Sequence, residues 1–259
     1  MAELRGRIAL ITGAGRGLGR AIAVAIAGAG AEVALCARSG GELEAVAAIC
    51  REASGRALVL PGDLADPDFR RHLVAEVGVR LGAVDILVNN AGIAPSAPLE
   101  RSDDELWERT FALNVEAPFQ LSRLVMRGMA ERGYGRIVNV ASTAALKGYP
   151  YTSAYVASKH ALLGLTRALG RELASRGVTV NAVCPGFADT RIASEAIENI
   201  VRKTGRSPEE ARGFLVTENP LGRLIRPEEV AEAVMAFLGP DSAALSGQAL
   251  AVAGGAVEG

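Results

Sequence analysis

The sequence predicts a doubly wound α/β protein: a parallel sheet of about seven strands with helices on both faces, in one domain over residues 1–259. Three observations carry this expectation. Short apolar runs recur along the chain, and they are near-continuously apolar, as strands covered on both faces should be. Longer amphipathic segments separate them, and strand–helix alternation at this spacing points to a parallel sheet. Right-handed crossovers then give the doubly wound arrangement. The chain has 259 residues, 49% of them hydrophobic, enough for one well-buried core, although length alone also permits two domains.

The runs expected to form strands are "RIALIT" (7–12), "AEVALCA" (31–37), "ALVLPG" (57–62), "VDILVN" (84–89), "RIVNVA" (136–141), "VTVNAV" (178–183) and "ALAVAG" (249–254). Amphipathic helices are expected over 41–53, 67–81, 103–131, 154–176 and 227–238. The last, "RPEEVAEAVMAFLG", has proline near its start and acids in its first turn. Residues 187–223 break the rhythm: they are long, charged and carry two prolines. They read as an insertion after strand six. Open sheets bind ligands beyond the carboxyl ends of their strands, so an insertion there is a candidate lid.

Glycine is high at 30 and aromatics are low at 4%, so the core must be mostly Ala, Val, Leu and Ile. The net charge of -1 supplies no bulk field toward nucleic acid or an anionic membrane. Cys36, Cys50 and Cys184 have no ligand-like spacing and read as reduced core residues. "MAELRGRIALITG" lacks a signal-peptide layout, and the apolar run Ala21 to Ala31 is too short to span a membrane. A cytoplasmic location is the expectation.

Strand one runs into "TGAGRGLGRAIAVAIAGAG", with Gly13, Gly17 and Gly19 spaced G-x-x-x-G-x-G around Arg16 and Leu18. Glycines permit positive φ and let a pyrophosphate approach backbone N–H groups at a helix N-terminus. A tight strand-to-helix turn without a ligand is the alternative, and the strand-before, helix-after context favours the nucleotide. Dinucleotide folds usually place an acid about 20 residues on, against the ribose 2′-hydroxyl. Here the second strand ends in Ala37-Arg38-Ser39, with no acid at the turn. Arg16 and Arg38 suit a 2′-phosphate, because guanidinium binds phosphate as a planar fork. NADP(H) is therefore favoured over NAD(H). Asp63, beside Leu64 after the third strand, could accept from an adenine amino group or cap the next turn.

Tyr155 and Lys159 stand four residues apart at the head of an apolar helix, on one face. An ammonium beside a phenol favours phenolate, and a tyrosine so tuned exchanges a proton with a carbonyl or alcohol. A snorkelling lysine beside a core tyrosine is the alternative.

Taken in order, "TGAGRGLG", "NNAG" (89–92), Asn114, Ser142, Tyr155-x-x-x-Lys159 and "PGFADT" (185–190) resemble the short-chain dehydrogenase/reductase family over essentially the whole chain. The resemblance implies a Rossmann-type fold and a role for each residue. Tyr155 is the implied general acid/base. Lys159 lowers its pKa and binds the nicotinamide ribose. Ser142 hydrogen-bonds the substrate oxygen, and Asn114 helps hold a relay water. Asn90, Ala91 and Gly92 shape the adenosine side of the cleft, and Pro185, Gly186 and Thr190 contact nicotinamide and pyrophosphate. Hydride passes between nicotinamide C4 and a carbonyl carbon while Ser142 and Tyr155 serve the oxygen. No metal is implied, and His72 and His160 read as structural or solvated.

"RIVNVAST", "AYVASKHALLGLTRALG" and "VTVNAVCPGF" are similar to reductases of 3-oxoacyl thioesters on acyl carrier protein, polyketide ketoreductases among them. The implied activity is NADPH-dependent reduction of a 3-oxoacyl thioester. An NAD(P)+-dependent alcohol or 3-hydroxyacyl-CoA dehydrogenase is the enzymatic alternative, and a nucleotide-sensing module the non-enzymatic one. The expected partner is a small or thioester-linked carbonyl compound, on acyl carrier protein or CoA. Arg132, Arg136 and Arg176 form a candidate basic patch for its anionic arm, or are scattered surface charges. Tyr149, Phe187, Phe214 and Leu215 line an apolar pocket or pack the lid. Family members are commonly tetramers, and a homotetramer is expected.

Overall fold

Successive residues of an inner strand point to opposite faces, and both faces of this sheet find apolar partners. The computed structural model describes residues 3–217 and 219–257. Strands β1 (Ile8–Thr12), β2 (Glu32–Ala37), β3 (Ala57–Pro61), β4 (Ile86–Asn89), β5 (Gly135–Val140), β6 (Val178–Pro185) and β7 (Ala249–Val252) form one parallel sheet, ordered β3-β2-β1-β4-β5-β6-β7. Helices α1 (Gly17–Gly28), α2 (Gly40–Ser54), α3 (Pro67–Arg80), α4 (Asp104–Phe111), α5 (Ala117–Glu131), α6 (Ser153–Leu173), α7 (Arg191–Thr204), α8 (Pro208–Thr217) and α9 (Pro227–Met235) connect them. Ala9, Ile11, Val33 and Leu35 face one layer with α1, α2 and α9. Leu10, Ala34, Leu87 and Ile137 face the other with α3, α5 and the end of α6. Each expected strand is present within two residues of its expected limits.

The helix expected over 103–131 is interrupted. Residues Ala112–Glu116 form a π-helical turn, in which Ala117 N–H bonds to Ala112 O five residues back. The cause is Pro118, which has no N–H to give the Asn114 carbonyl four residues earlier. The expected helix over 154–176 is α6 followed by a 3₁₀ turn, and it stops at Gly177 with φ +74°. The bare α-carbon there lets the Gly133 carbonyl approach; a Cβ would sit 2.2 Å from that oxygen.

The 187–223 insertion is α7 and α8, packed on each other through Ala193 and Leu215. Its start is tied to the segment leading into α9 by Asp189 N–H to Ile225 O (2.8 Å) and Ile225 N–H to Phe187 O (2.9 Å). Strand order reverses between β1 and β4, and a crevice opens at their carboxyl ends.

The basic patch read from sequence is not built beside that crevice. Arg136 opens β5, at the opposite end of the sheet, and is 3% exposed. Its guanidinium lies 4.6 Å from the Tyr134 ring centroid and donates to the Gly135 carbonyl at 2.9 Å. Arg132 pairs with Asp85 at 3.2 Å. Arg176 precedes β6 at the same remote end. Arginine stems bury readily and guanidinium stacks on aromatic faces, so charge alone did not place these residues on the cleft. All three cysteines are buried and free. Among the described residues, no helix is long and apolar enough to cross a membrane.

Candidate active site

The glycine loop is clamped from β4. Asn90 donates from Nδ2 to the carbonyls of Thr12 (2.9 Å) and Gly13 (3.1 Å). Thr12 Oγ1 accepts from the N–H groups of Asn90 and Ala91 at 2.9 and 3.1 Å. Gly13 and Gly17 have φ of +65° and +53°. A Cβ at Gly19 would stand 2.1 Å from Gly13 O, and one at Gly17 would stand 3.3 Å from the Thr190 methyl. The loop, Asn90 and Thr190 thus meet with only hydrogen atoms to spare. Gly186 is held by its N–H to Val252 O at 3.0 Å, following Pro185 at the end of β6. Leu18 packs on the core beneath. Thr12 was missed from sequence; its signal is a hydroxyl at the last strand position before the glycines.

Arg16 sits within this loop, at the surface with its guanidinium half-exposed, and Arg38 is exposed directly after β2. Arg16 is not solitary: its Nη1 lies 3.2 Å from Glu42 Oε1. Sequence reasoning found no acid at the end of β2, because Glu42 arrives instead from the first turn of α2. Asp63 accepts from Ala65 N–H at 2.9 Å through Oδ1 and so does cap a turn, beside buried Leu64.

Ser142, Tyr155, Lys159 and Asn114 converge beyond the ends of β4 and β5. Ser142 follows β5 and accepts from Ala144 N–H at 3.1 Å, capping a 3₁₀ turn. Its side chain also hydrogen-bonds Tyr155. Lys159 is 5% exposed, donates to Val140 O at 2.9 Å, and has its Nζ 5.8 Å from the Tyr155 ring centroid. Asn114 sits in the π turn, fully buried. Its Nδ2 donates to Ile93 O (2.9 Å) and Ser158 Oγ (3.0 Å), and its Oδ1 accepts from Ile93 N–H (3.0 Å). Ser158 in turn donates to Tyr155 O at 2.7 Å. A Cβ at Gly92 would lie 3.0 Å from Asn114 Oδ1 and 3.7 Å from Lys159 Nζ, which is why that corner needs glycine beside Ala91.

The direction of the Tyr155 shift differs from the sequence expectation. Burial pushes the Tyr155 phenol above its ordinary value, and the Ser142 hydrogen bond opposes it. Burial pushes the Lys159 ammonium down to about 8. Desolvation is the largest cause of both shifts, so the phenol lies above its ordinary value and the ammonium below it.

Tyr149 hydrogen-bonds Thr143 Oγ1 at 2.8 Å and meets Phe187 edge-on, with ring centroids 6.0 Å apart. A cavity of about 550 Å³ opens beside Tyr149, lined also by Leu99, Glu100, Tyr151 and Ser153. Leu215 is buried in the α7–α8 core, while Phe214 is exposed under Arg206, so these two do not line the cavity. His160 is exposed with Nδ1 2.9 Å from Val156 O, and His72 is exposed.

Residues 7–200 match the family model described as short chain dehydrogenase. A Streptomyces coelicolor protein named as a ketoacyl reductase is 41% identical over 257 residues, covering 98% of each chain. The 3-oxoacyl-(acyl-carrier-protein) reductase of Escherichia coli is 39% identical over 254 residues, again covering 98% of each. Among solved structures, a single-substitution variant of the actinorhodin polyketide ketoreductase with NADPH superposes with a TM-score of 0.93 at 41% identity, covering 99% of each chain. On fold, motifs and these matches, the chain belongs to the short-chain dehydrogenase/reductase family, oxidoreductases that act on keto and hydroxyl groups.

Proposed function

We propose that this chain is an NADPH-dependent reductase of 3-oxoacyl thioesters. The observation that carries the reading is the convergence of Ser142, Tyr155 and Lys159 beside a glycine cradle that a single Cβ would fill. The cradle fits a dinucleotide: the loop opens onto the N-terminus of α1, whose backbone N–H groups would hold a pyrophosphate. Arg16 within the loop and exposed Arg38 directly after β2 suit a 2′-phosphate. The thioester class is supported by the ketoacyl and 3-oxoacyl reductases that match over nearly all of their length.

Reduced nicotinamide, when bound, supplies the hydride for the carbonyl carbon. The chain's residues handle the oxygen. Ser142 and Tyr155 donate hydrogen bonds to it, and Tyr155 completes the alcohol by giving up its phenolic proton. Burial keeps the phenol protonated at neutral pH, and the Ser142 hydrogen bond opposes that shift and so favours release of the proton. Lys159 resupplies the proton and stabilises the phenolate that remains. The side chain of Asn114 is engaged by Ile93 and Ser158. Its carbonyl, deprived of an i+4 donor by Pro118, is the acceptor for a relay water. Tyr149 and Phe187 wall the acyl side of the cleft, and α7–α8 close over it as a lid.

The working assembly is a homotetramer in the cytoplasm. Exposed Trp107 and Phe119 on α4 and α5, and Leu245 and Leu250 at the β7 edge, supply two separate apolar faces. Purified protein given acetoacetyl-CoA tests the reading. NADPH oxidation with formation of the 3-hydroxyacyl thioester is expected. Turnover only of secondary alcohols with NAD+ would replace it by the catabolic dehydrogenase, and no turnover on any carbonyl by the sensor.

A further inference from the structure

The stretch Ser39-Gly40-Gly41-Glu42 has the S-x-x-E spacing of a capping box, in which the glutamate reaches back to the N-cap N–H. Only half of it forms. Ser39 Oγ accepts from Glu42 N–H at 3.3 Å. The Glu42 carboxylate turns out of the helix instead. Its Oε1 meets Arg16 Nη1 at 3.2 Å. Its Oε2 stands 3.2 Å from where a Cβ of Gly15 would be, and the Ala37 Cβ is 3.8 Å from the same point. One carboxylate therefore lies where the glycine loop meets the end of β2. In βαβ dinucleotide sites that is where the adenosine ribose hydroxyls rest.

We propose that Glu42 is a cofactor-specificity residue, accepting a hydrogen bond from the ribose 2′-hydroxyl of NAD(H) and competing with the 2′-phosphate of NADP(H) for Arg16. The inference rests on the nucleotide reading of the glycine loop. Two states follow from the geometry. With a free 2′-hydroxyl, Glu42 keeps Arg16 and accepts from the ribose. With a 2′-phosphate, like charges repel, and Arg16 exchanges the carboxylate for the phosphate fork. The chain thus carries the acid that its second strand lacks, delivered from a helix, and its preference for NADP(H) is held in check.

Fluorescence titration of NADPH and NADH into wild type and Glu42→Gln tests this without turnover. A charged acceptor lost from the ribose corresponds to about a fivefold to tenfold weakening of NADH. Removal of a half-exposed carboxylate beside the phosphate corresponds to about a threefold tightening of NADPH. The two constants must move in opposite directions, and Glu42→Asp, one methylene shorter, must shift the ratio the same way. Nucleotides that bind while their ratio stays within about twofold of wild type would overturn the role of Glu42 and leave the nucleotide site standing. Failure of wild type to bind either nucleotide would overturn both.

Discussion

Lys159 donates from Nζ to the Val140 carbonyl at 2.9 Å, which keeps a cation inside the protein beside Tyr155. Burial holds its pKa at about 8, against 10.5 ordinarily. Between those values the unfolded chain keeps a proton that the folded chain has released, so Lys159 makes stability rise with pH across that window. Below about 8 the full desolvation cost stands. Lys159→Met should therefore be more stable than wild type at about pH 7, by on the order of 2 kcal/mol, and the gap should close once pH passes the ordinary lysine value. Denaturant unfolding at the two pH values measures it. Parallel profiles would place the ammonium in water.

Ser158 joins Asn114 to the carbonyl of Tyr155. In Ser158→Ala, Asn114 Nδ2 keeps only Ile93. A stability loss of about 1 kcal/mol is expected, with kcat lowered severalfold and KM for thioester unchanged. A rise in KM alone would make Ser158 a substrate contact rather than a positioning residue.

Two glycines of α1 should respond in opposite ways. A Cβ at Gly19 meets Gly13 O at 2.1 Å and Asn90 Nδ2 at 2.5 Å, both fixed atoms. Gly19→Ala should cost about 1–3 kcal/mol and weaken NADPH binding more than about tenfold. A Cβ at Gly28 meets nothing within 4 Å, so Gly28→Ala should be neutral or stabilising by up to about 1 kcal/mol. Thermal melts and nucleotide titration of the pair separate loop geometry from helix propensity.

The sheet was legible because its strands are covered on both faces: "ALIT", "VALC" and "ILV" have almost no polar side to hide. The site was legible where spacing alone encodes contact, as in Tyr155 and Lys159. Sequence did not reveal effects that depend on a distant partner. Pro118 shifts Asn114 into a π turn only because a long helix must pass through it. Arg136 disappears under Tyr134. Glu42 carries no signal of this contact in the sequence, because only the fold sets it across from Arg16 and Gly15. The rise of the Tyr155 phenol is hidden for the same reason: depth of burial is not written in an i,i+4 pair.

In the proposed reaction Tyr155 gives its proton to a carbonyl oxygen, and the proposal stands on that transfer. Its most direct test is kcat for NADPH-dependent reduction of acetoacetyl-CoA by Tyr155→Phe, with the NADPH Kd and melting temperature measured on the same sample. The expected result is a fall in kcat of at least about 10³-fold, in the range of a lost general acid, with folding intact and NADPH binding within about threefold. A variant that binds NADPH and turns over at a rate near wild type would contradict it.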